Sequence, residues 1–444
     1  MEDDAMTAAS DRSTDPASDP LSRAVGSTMY PAYPAPSERA RELYVDLVDF
    51  MRSEVFPAEA AYDEHRHRVG PEDTSVPPVV EELKVKARER GLWNLFLPSE
   101  AGLTQLEYAP LAELSGWSLE LAPEALNCAA PDTGNMELLH LRGTEEQKRR
   151  WLQPLLDGEI RSAFAMTEPA VASSDATNIA TRIERDGDDY VINGRKWWIS
   201  GAADPRCEVL VVMGKTDPDG PTHRQQSMVI VPTATPGVTI GRNFPVFGRH
   251  DQHGHCVVTF EDVRVPVDHL LGEEGGGFAN AQARLGPGRI HHVMRALGAG
   301  ERALALMVQR VQERVAFGRP LAEQSSVRER IAESRIQMEQ ARALCHKAAY
   351  VVDSEGNKAA RHLIAAAKVA VPRAVNDVID RAIQVHGGAG ISDATPLAML
   401  YGWHRAMRIF DGPDEVHLGS LARAELGADP LFTLPPSYAA RALQ

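Results

Sequence analysis

The chain has 444 residues, 43% hydrophobic and 25% charged, an ordinary balance for a globular protein of two or three domains. Its 62 acidic against 47 basic residues leave a net charge of −15, which argues against nucleic acid and anionic membrane surfaces as partners. The 4 cysteines, Cys128, Cys207, Cys256 and Cys345, are scattered without a Cys-x-x-Cys pair, so reduced thiols in a cytoplasmic setting are expected rather than a disulfide framework or a zinc site.

Residues 1–37 carry early acids and no apolar core, and read as a disordered tail rather than a secretory or transit leader. No apolar run anywhere approaches the roughly 18 residues of a membrane span. Residues 38–160 read as a helical domain. Leu43, Leu47, Phe50 and Met51 recur at helical spacing, and a helix over 79–90 is closed by Gly91. Thr144-Glu145-Glu146-Gln147 is a capping-box pattern that opens a helix running to about Gly158. The grammar then changes, and residues 161–275 read as a β-domain. Asn193-Gly194, flanked by β-prone runs, predicts a two-residue hairpin turn, and strands are expected over 207–213, 227–232, 237–242 and 257–260. Residues 276–428 read as a helical bundle. Leu304, Val308, Val311 and Val315 mark one apolar face, and long helices fall over 326–353 and 357–385, with Pro372 kinking or beginning the second. Residues 429–444, with Pro435-Pro436, read as a C-terminal tail.

The chemistry lies in a few short segments. Phe164-Ala165-Met166-Thr167-Glu168-Pro169 leads into the β-domain with an apolar run and one hydroxyl. In Trp197-Trp198-Ile199-Ser200, period-two alternation puts Trp198 and Ser200 on one face. Arg314 precedes Phe317-Gly318 at a helix end, where a guanidinium suits a pyrophosphate. Gln384-Val385-His386-Gly387-Gly388 ends in adjacent glycines that let a backbone approach a ligand closely. Ile409–His417 packs the carboxylates of Asp411, Asp414 and Glu415 around Gly412-Pro413. In this order, across about residues 40–425, the segments resemble the acyl-CoA dehydrogenase family. The closing segment is similar to that of the subgroup fused in animals to kinase-like and hydrolase-like domains.

The resemblance implies an α+β fold: an N-terminal helical domain, a middle β-barrel-like domain and a C-terminal four-helix bundle. It implies bound FAD, contacted by Phe164, Ala165, Met166, Thr167, Ser174, Trp198, Ile199, Ser200, Pro413 and Glu415. It also implies that Arg314, Ala316 and Gln324, with Gln384, Val385, His386, Gly387 and Gly388, reach the FAD of a neighbouring subunit in a homodimer or homotetramer. Ser174, Arg289 and Gly412 match positions around an acyl-CoA substrate, and electron-transferring flavoprotein is the implied electron acceptor. The implied reaction removes an α-proton and a β-hydride from the acyl thioester. The base in most of the family is a glutamate; here the matching residue is Asp411, one methylene (about 1.5 Å) shorter. Some relatives carry the base just before the arginine matched by Arg289, but that position is Gly288. Asp411 is thus the expected base, in a site dry enough to raise its basicity. Asp414 and Glu415 then read as caps of the last helix. Two departures stand out: Ala170–Asp175 replaces a glycine-rich loop, and Gln324-Ser325 replaces the family's His-Gln. His250, His253 and His255 cluster before a strand, and the resemblance gives a metal no role. An aspartate base also suits a nitroalkane oxidase, and an acyl-CoA oxidase or a non-catalytic flavin-bound scaffold are further alternatives.

Overall fold

A computed structural model describes residues 33–427. The tail expected over 429–444, and 1–32 of the N-terminal one, lie outside the described residues. Ser37 belongs to the fold: its Oγ accepts the Ala40 amide at 3.2 Å and so caps α1 (Glu38–Phe50). Leu43, Leu47, Phe50 and Met51 are buried, as their spacing predicts. A π-helical turn joins α1 to α2 (Phe56–Val69), followed by α3 (Pro78–Glu89), α4 (Gln105–Ser115) and α5 (Asp132–Arg142). The capping box forms: the Gln147 amide reaches Thr144 Oγ1 at 3.2 Å, and the Thr144 amide reaches Gln147 Oε1 at 3.1 Å.

The middle of the chain folds into a curled sheet of β1 (Arg161–Ala165), β2 (Arg182–Asp186), β3 (Asp189–Ser200), β4 (Cys207–Lys215), β5 (Gln226–Pro232), β6 (Val238–Asn243) and β7 (His255–Pro266), in the order β1-β4-β2-β3-β7-β6 with β5 beside β4. The expected hairpin at Asn193-Gly194 is not there. The turn falls at Gly187-Asp188, with Gly187 at φ +65°, and Asn193-Gly194 lies inside β3 at a register shift against β7. Asn193 exchanges hydrogen bonds with Asp262 across the sheet, at 3.0 and 2.8 Å. Gly194 is needed because a Cβ there would stand 2.4 Å from Thr181 Oγ1. Close packing, rather than turn geometry, explains this pair.

β4 serves two cores by simple alternation. Leu210 and Val212 face the interior of the sheet, while Val209, Val211 and Met213 join the core of the helical blocks. That shared strand ties the sheet to the bundle, which comprises α6 (Gly277–Glu313), α7 (Ser325–Glu355), α8 (Asn357–His386), α9 (Leu397–Met407) and α10 (Asp414–Leu426). Among the described residues the C-terminal helical domain thus comprises three long and two shorter helices. Between α6 and α7 lies a hairpin of β8 (Val315–Ala316) and β9 (Arg319–Pro320). Val315 consequently leaves the apolar helix face on which Leu304 and Val311 are buried, and is exposed. Pro372 does not begin a helix; it is buried inside α8. Helices α6 and α4 approach closely, since a Cβ at Gly298 would fall 1.8 Å from the Glu113 carbonyl oxygen.

Candidate active site

Where the sheet, α2 and the C-terminal helices meet, a cavity of about 2280 Å³ opens. One wall is the Phe164–Thr167 segment. It is held from behind by Lys196, whose Nζ is buried and donates to the carbonyls of Met166 (2.9 Å) and Met213 (2.6 Å) and to Glu168 Oε1 (2.8 Å). The Glu168 carboxylate also accepts the amides of Ala180 and Thr181, at 2.8 and 2.9 Å. The loop at Ala170–Asp175 closes on this cluster, with Ser173 Oγ accepting the Glu168 amide at 2.8 Å, and Ser174 opens on the cavity.

Trp198 and Ser200 both reach the cavity, but not by regular alternation. A bulge between Lys196 and Ile199 puts Trp198 at φ +55°. One face of the Trp198 indole stacks on Phe244 at 5.2 Å, while the side chain remains 40% exposed. Ser200 Oγ lies 2.8 Å from His255 Nδ1, and His255 Nε2 lies 2.9 Å from Asp251. His253 sits within 4 Å of Glu124 and Asp204 carboxylates. His253 and His255 are thus engaged with acids and a hydroxyl.

The opposite chemistry comes from the Ile409–His417 segment. Asp411 adopts φ +54°, a conformation that aspartate tolerates better than most residues. Gly412 follows at φ +96°, and a Cβ there would stand 3.0 Å from His417 Nε2. Two cations hold this turn by its main chain. Arg289 Nε donates to the Asp411 carbonyl at 2.7 Å, and Lys368 Nζ donates to the carbonyls of Met407 and Phe410 at 2.5 and 2.9 Å. The Asp411 carboxylate opens on the cavity, 3.5 Å from His292 Nε2. Burial pushes its proton affinity up, but His292, Arg284, Lys368 and Arg289 together outweigh burial and hold the carboxyl below the usual aspartate range. The dry site does not raise Asp411's basicity, contrary to expectation: cations converge on it. Burial in turn lowers Lys368 to about 8 and Arg284 to about 10.

Asp414 is not a side-chain cap. Pro413 occupies the cap position without a side-chain hydrogen bond, and Asp414 is buried with its Oδ2 3.0 Å from nitrogens of both Arg373 and Arg408. Asp414 and Glu415 do stand in the first turn of α10, as the helix dipole favours.

Phe164, Met166, Thr167, Ser174, Trp198, Ser200, Arg289, Asp411, Gly412, Pro413 and Glu415 therefore share one cavity, with Gly288 on its wall. Ala165 and Ile199 are buried in the sheet core and can offer only backbone. Arg314, Ala316 and Gln324 lie at the β8–β9 hairpin, and Gln384–Gly388 at the end of α8, away from this cavity. Sequence reasoning missed Lys196, Arg284, Lys368 and His292; Lys196 and His292 adjoin singled-out segments, but their partners Glu168 and Asp411 are distant in the chain. The residues fit a planar aromatic cofactor. Thr167 Oγ1 has no hydrogen-bond partner among the described residues, and the partly exposed Trp198 indole lines the same cavity.

Family models for acyl-CoA dehydrogenase match the chain three times: the N-terminal domain over residues 37–159, the middle domain over 163–263 and the C-terminal domain over 275–426. The chain belongs to the acyl-CoA dehydrogenase family. It is 69% identical over 395 residues to the protein named probable acyl-CoA dehydrogenase FadE2 of Mycobacterium tuberculosis, covering 89% of this chain and 97% of that one. It is 54% identical over 399 residues to acyl-CoA dehydrogenase family member 10 of Mus musculus, covering 88% of this chain but 37% of the longer mouse protein. A candidate acyl-CoA dehydrogenase from Mycobacterium abscessus, 49% identical, superposes at a TM-score of 0.85 over 88% of this chain and 99% of that one. As an acyl-CoA dehydrogenase the protein is an FAD-dependent oxidoreductase. No described helix is long and apolar enough to cross a membrane.

Proposed function

We propose that the chain dehydrogenates a saturated acyl-CoA thioester to the trans-2-enoyl-CoA, with Asp411 as the base that takes the α-proton. The observation that carries this reading is the placement of the Asp411 carboxylate: it opens on the same cavity as Thr167, Trp198 and Ser200, in a turn whose carbonyls are clamped by Arg289 and Lys368. Gly288, at the other position from which the family supplies a base, lines the cavity without a functional side chain. Bound FAD would supply the hydride acceptor. Thr167 and Ser200 offer hydroxyls to its ring edge, Trp198 offers an aromatic face, and Pro413 and Glu415 stand beside Asp411 to complete the wall. Ser174, Arg289 and Gly412 face the substrate. The positive charge of Arg284, Arg289 and Lys368 keeps Asp411 ionised and ready to accept a proton at neutral pH. Reach is supplied by the backbone, because the left-handed turn carries the short aspartate into the cavity. Electrons then leave to an electron-transferring flavoprotein, in a homodimer or homotetramer whose neighbouring subunits contribute Arg314, Ala316, Gln324 and Gln384–Gly388 to one another's cofactor. All 4 cysteines are free and buried, which fits a reducing cytoplasm.

The deciding experiment is anaerobic mixing of the yellow holoprotein with a panel of acyl-CoAs and nitroalkanes. Bleaching by at least one saturated acyl-CoA and by no nitroalkane is expected. Bleaching by nitroalkanes alone overturns the reading in favour of nitroalkane oxidation, and rapid reoxidation in air with peroxide formed points to an acyl-CoA oxidase.

A further inference from the structure

We propose that His292, oriented by Arg295, is the positioning residue that holds the Asp411 carboxylate in register for proton abstraction. The inference rests on Asp411 being the base. Among the described residues, His292 Nε2 is the only basic nitrogen within 4.0 Å of that carboxylate, at 3.5 Å from Oδ2. The other cations around it point elsewhere. Arg289 Nε donates to the Asp411 main-chain carbonyl, Lys368 Nζ to those of Met407 and Phe410, and Arg284 to Asn135 Oδ1 (2.7 Å) and the Pro131 carbonyl (3.2 Å); none of the three brings a nitrogen within 4.0 Å of the carboxylate. His417 stands behind Gly412, and Asp414 is taken by Arg373 and Arg408. These cations therefore supply field and fix the turn, but none grips the carboxylate itself.

The tautomer of His292 follows from its other nitrogen. Arg295, one turn later on α6, donates one guanidinium nitrogen to the Cys128 carbonyl at 3.1 Å and places the other 3.3 Å from His292 Nδ1. A guanidinium only donates, so Nδ1 must accept and the ring hydrogen resides on Nε2, facing Asp411. The ring cannot swing away. It is buried and packed against Phe410 at 5.1 Å and Trp403 at 5.7 Å between centroids. Burial, reinforced by Arg295, lowers His292 to about 3, so the imidazole stays neutral and turns its N–H toward Asp411, 3.5 Å from Oδ2, without handing it a proton. With Oδ2 facing the imidazole N–H, Oδ1 is left to meet the α-proton.

Two variants with the same amide test this. His292→Gln returns an N–H near the Nε2 position, whereas His292→Asn returns one near Nδ1, out of reach of Asp411. In the FAD holoprotein, His292→Asn is expected to slow anaerobic flavin reduction by acyl-CoA about 10- to 100-fold, the scale on which partners that orient a reacting group act. Its acid limb should move to higher pH, since Asp411 loses a stabilising donor, with substrate affinity and melting temperature little changed. His292→Gln should recover most of the rate and the original limb. Equal rates and identical pH profiles for the two variants overturn the proposal. So does a wild-type rate and profile in His292→Phe, which removes the donor and keeps an aromatic ring. Asp411→Asn separates the two readings. A normal rate there removes the base assignment itself, while an inactive Asp411→Asn beside a normal His292→Asn removes only the role of His292.

Discussion

Asp411 sits in a left-handed turn whose carbonyls accept hydrogen bonds from Arg289 and Lys368, so the proposed role of its carboxylate depends on cations that hold the main chain. Replacement by asparagine keeps the size of the side chain and removes the proton acceptor. FAD binding should survive in Asp411→Asn while flavin reduction by acyl-CoA falls about 10²- to 10⁴-fold, the usual loss for a general base; a normal stopped-flow rate would show that another acid is used. Asp414→Asn, by contrast, is expected to act on stability. Its buried carboxylate joins Arg373 and Arg408, which are 43% and 31% exposed. The cost is therefore expected at about 1–3 kcal/mol in urea unfolding, less than for a fully buried pair because both arginines reach water. Asp411, Thr167, Trp198 and Arg289 could be read from contiguous segments, since each lies in a motif a few residues long. Lys368 and Arg284 could not, because what makes them matter is the meeting of α8, α6 and the turn before α10. His292 was visible in Gly-Arg-Ile-His-His but carried no signal of its own. Only the position of Arg295 one turn on, together with Asp411 across the cavity, gives it a task.

The elements divide in the same way. The box at Thr144 was legible because both of its hydrogen bonds join residues three apart, whereas Asn193-Gly194 was misplaced because its partners, Asp262 and Thr181, are distant in the chain. Helix α6 shows what such distant partners demand. Gly298→Ala should force α6 and α4 apart, since the new methyl would meet the Glu113 carbonyl, and an overpacking loss of about 1–3 kcal/mol or more is expected in denaturant unfolding. A loss below a few tenths of a kcal/mol would mean that this packing is slack. On α5, burial pushes the Glu137 carboxyl up from 4.5 to about 8 against the pull of Arg284 and Arg295. The folded chain therefore holds a proton that the unfolded chain releases within that window, so stability falls as pH rises from about 4.5 to about 8. Glu137→Gln should remove this contribution. Relative to wild type, the variant's melting temperature should rise as pH passes from below 4.5 to above 8, and a constant difference across that range would show that Glu137 is not the group responsible.

At the scale of the whole molecule, the unusual feature is an apolar hairpin tip that no described residue covers. Phe317, at φ +53°, is 100% exposed and neighbours Val315 at 58%, in a hairpin that Arg314 opens. Water is a poor neighbour for a phenyl ring held at a positive φ, whereas a second copy of the chain would bury it. Among the described residues, nothing beyond the local chain comes within 4 Å of where a Cβ would stand on Gly387 or Gly388, so the backbone there is open to a close approach. The implied FAD contacts of Arg314, Ala316 and Gln324 and of Gln384–Gly388 lie away from the cavity that holds Asp411, which is what a cofactor shared between subunits requires. Burying one phenylalanine side chain is worth about 1.5–3 kcal/mol, and a two-fold interface would bury it twice. Phe317→Glu should therefore weaken assembly by at least about tenfold in dissociation constant, giving smaller particles by light scattering at low protein concentration. FAD should be lost in parallel, while the helical content and the Lys196–Glu168 core of each subunit persist. Unchanged particle size with FAD retained would show that the hairpin faces solvent in the working enzyme, and each subunit would then have to complete its cofactor site alone.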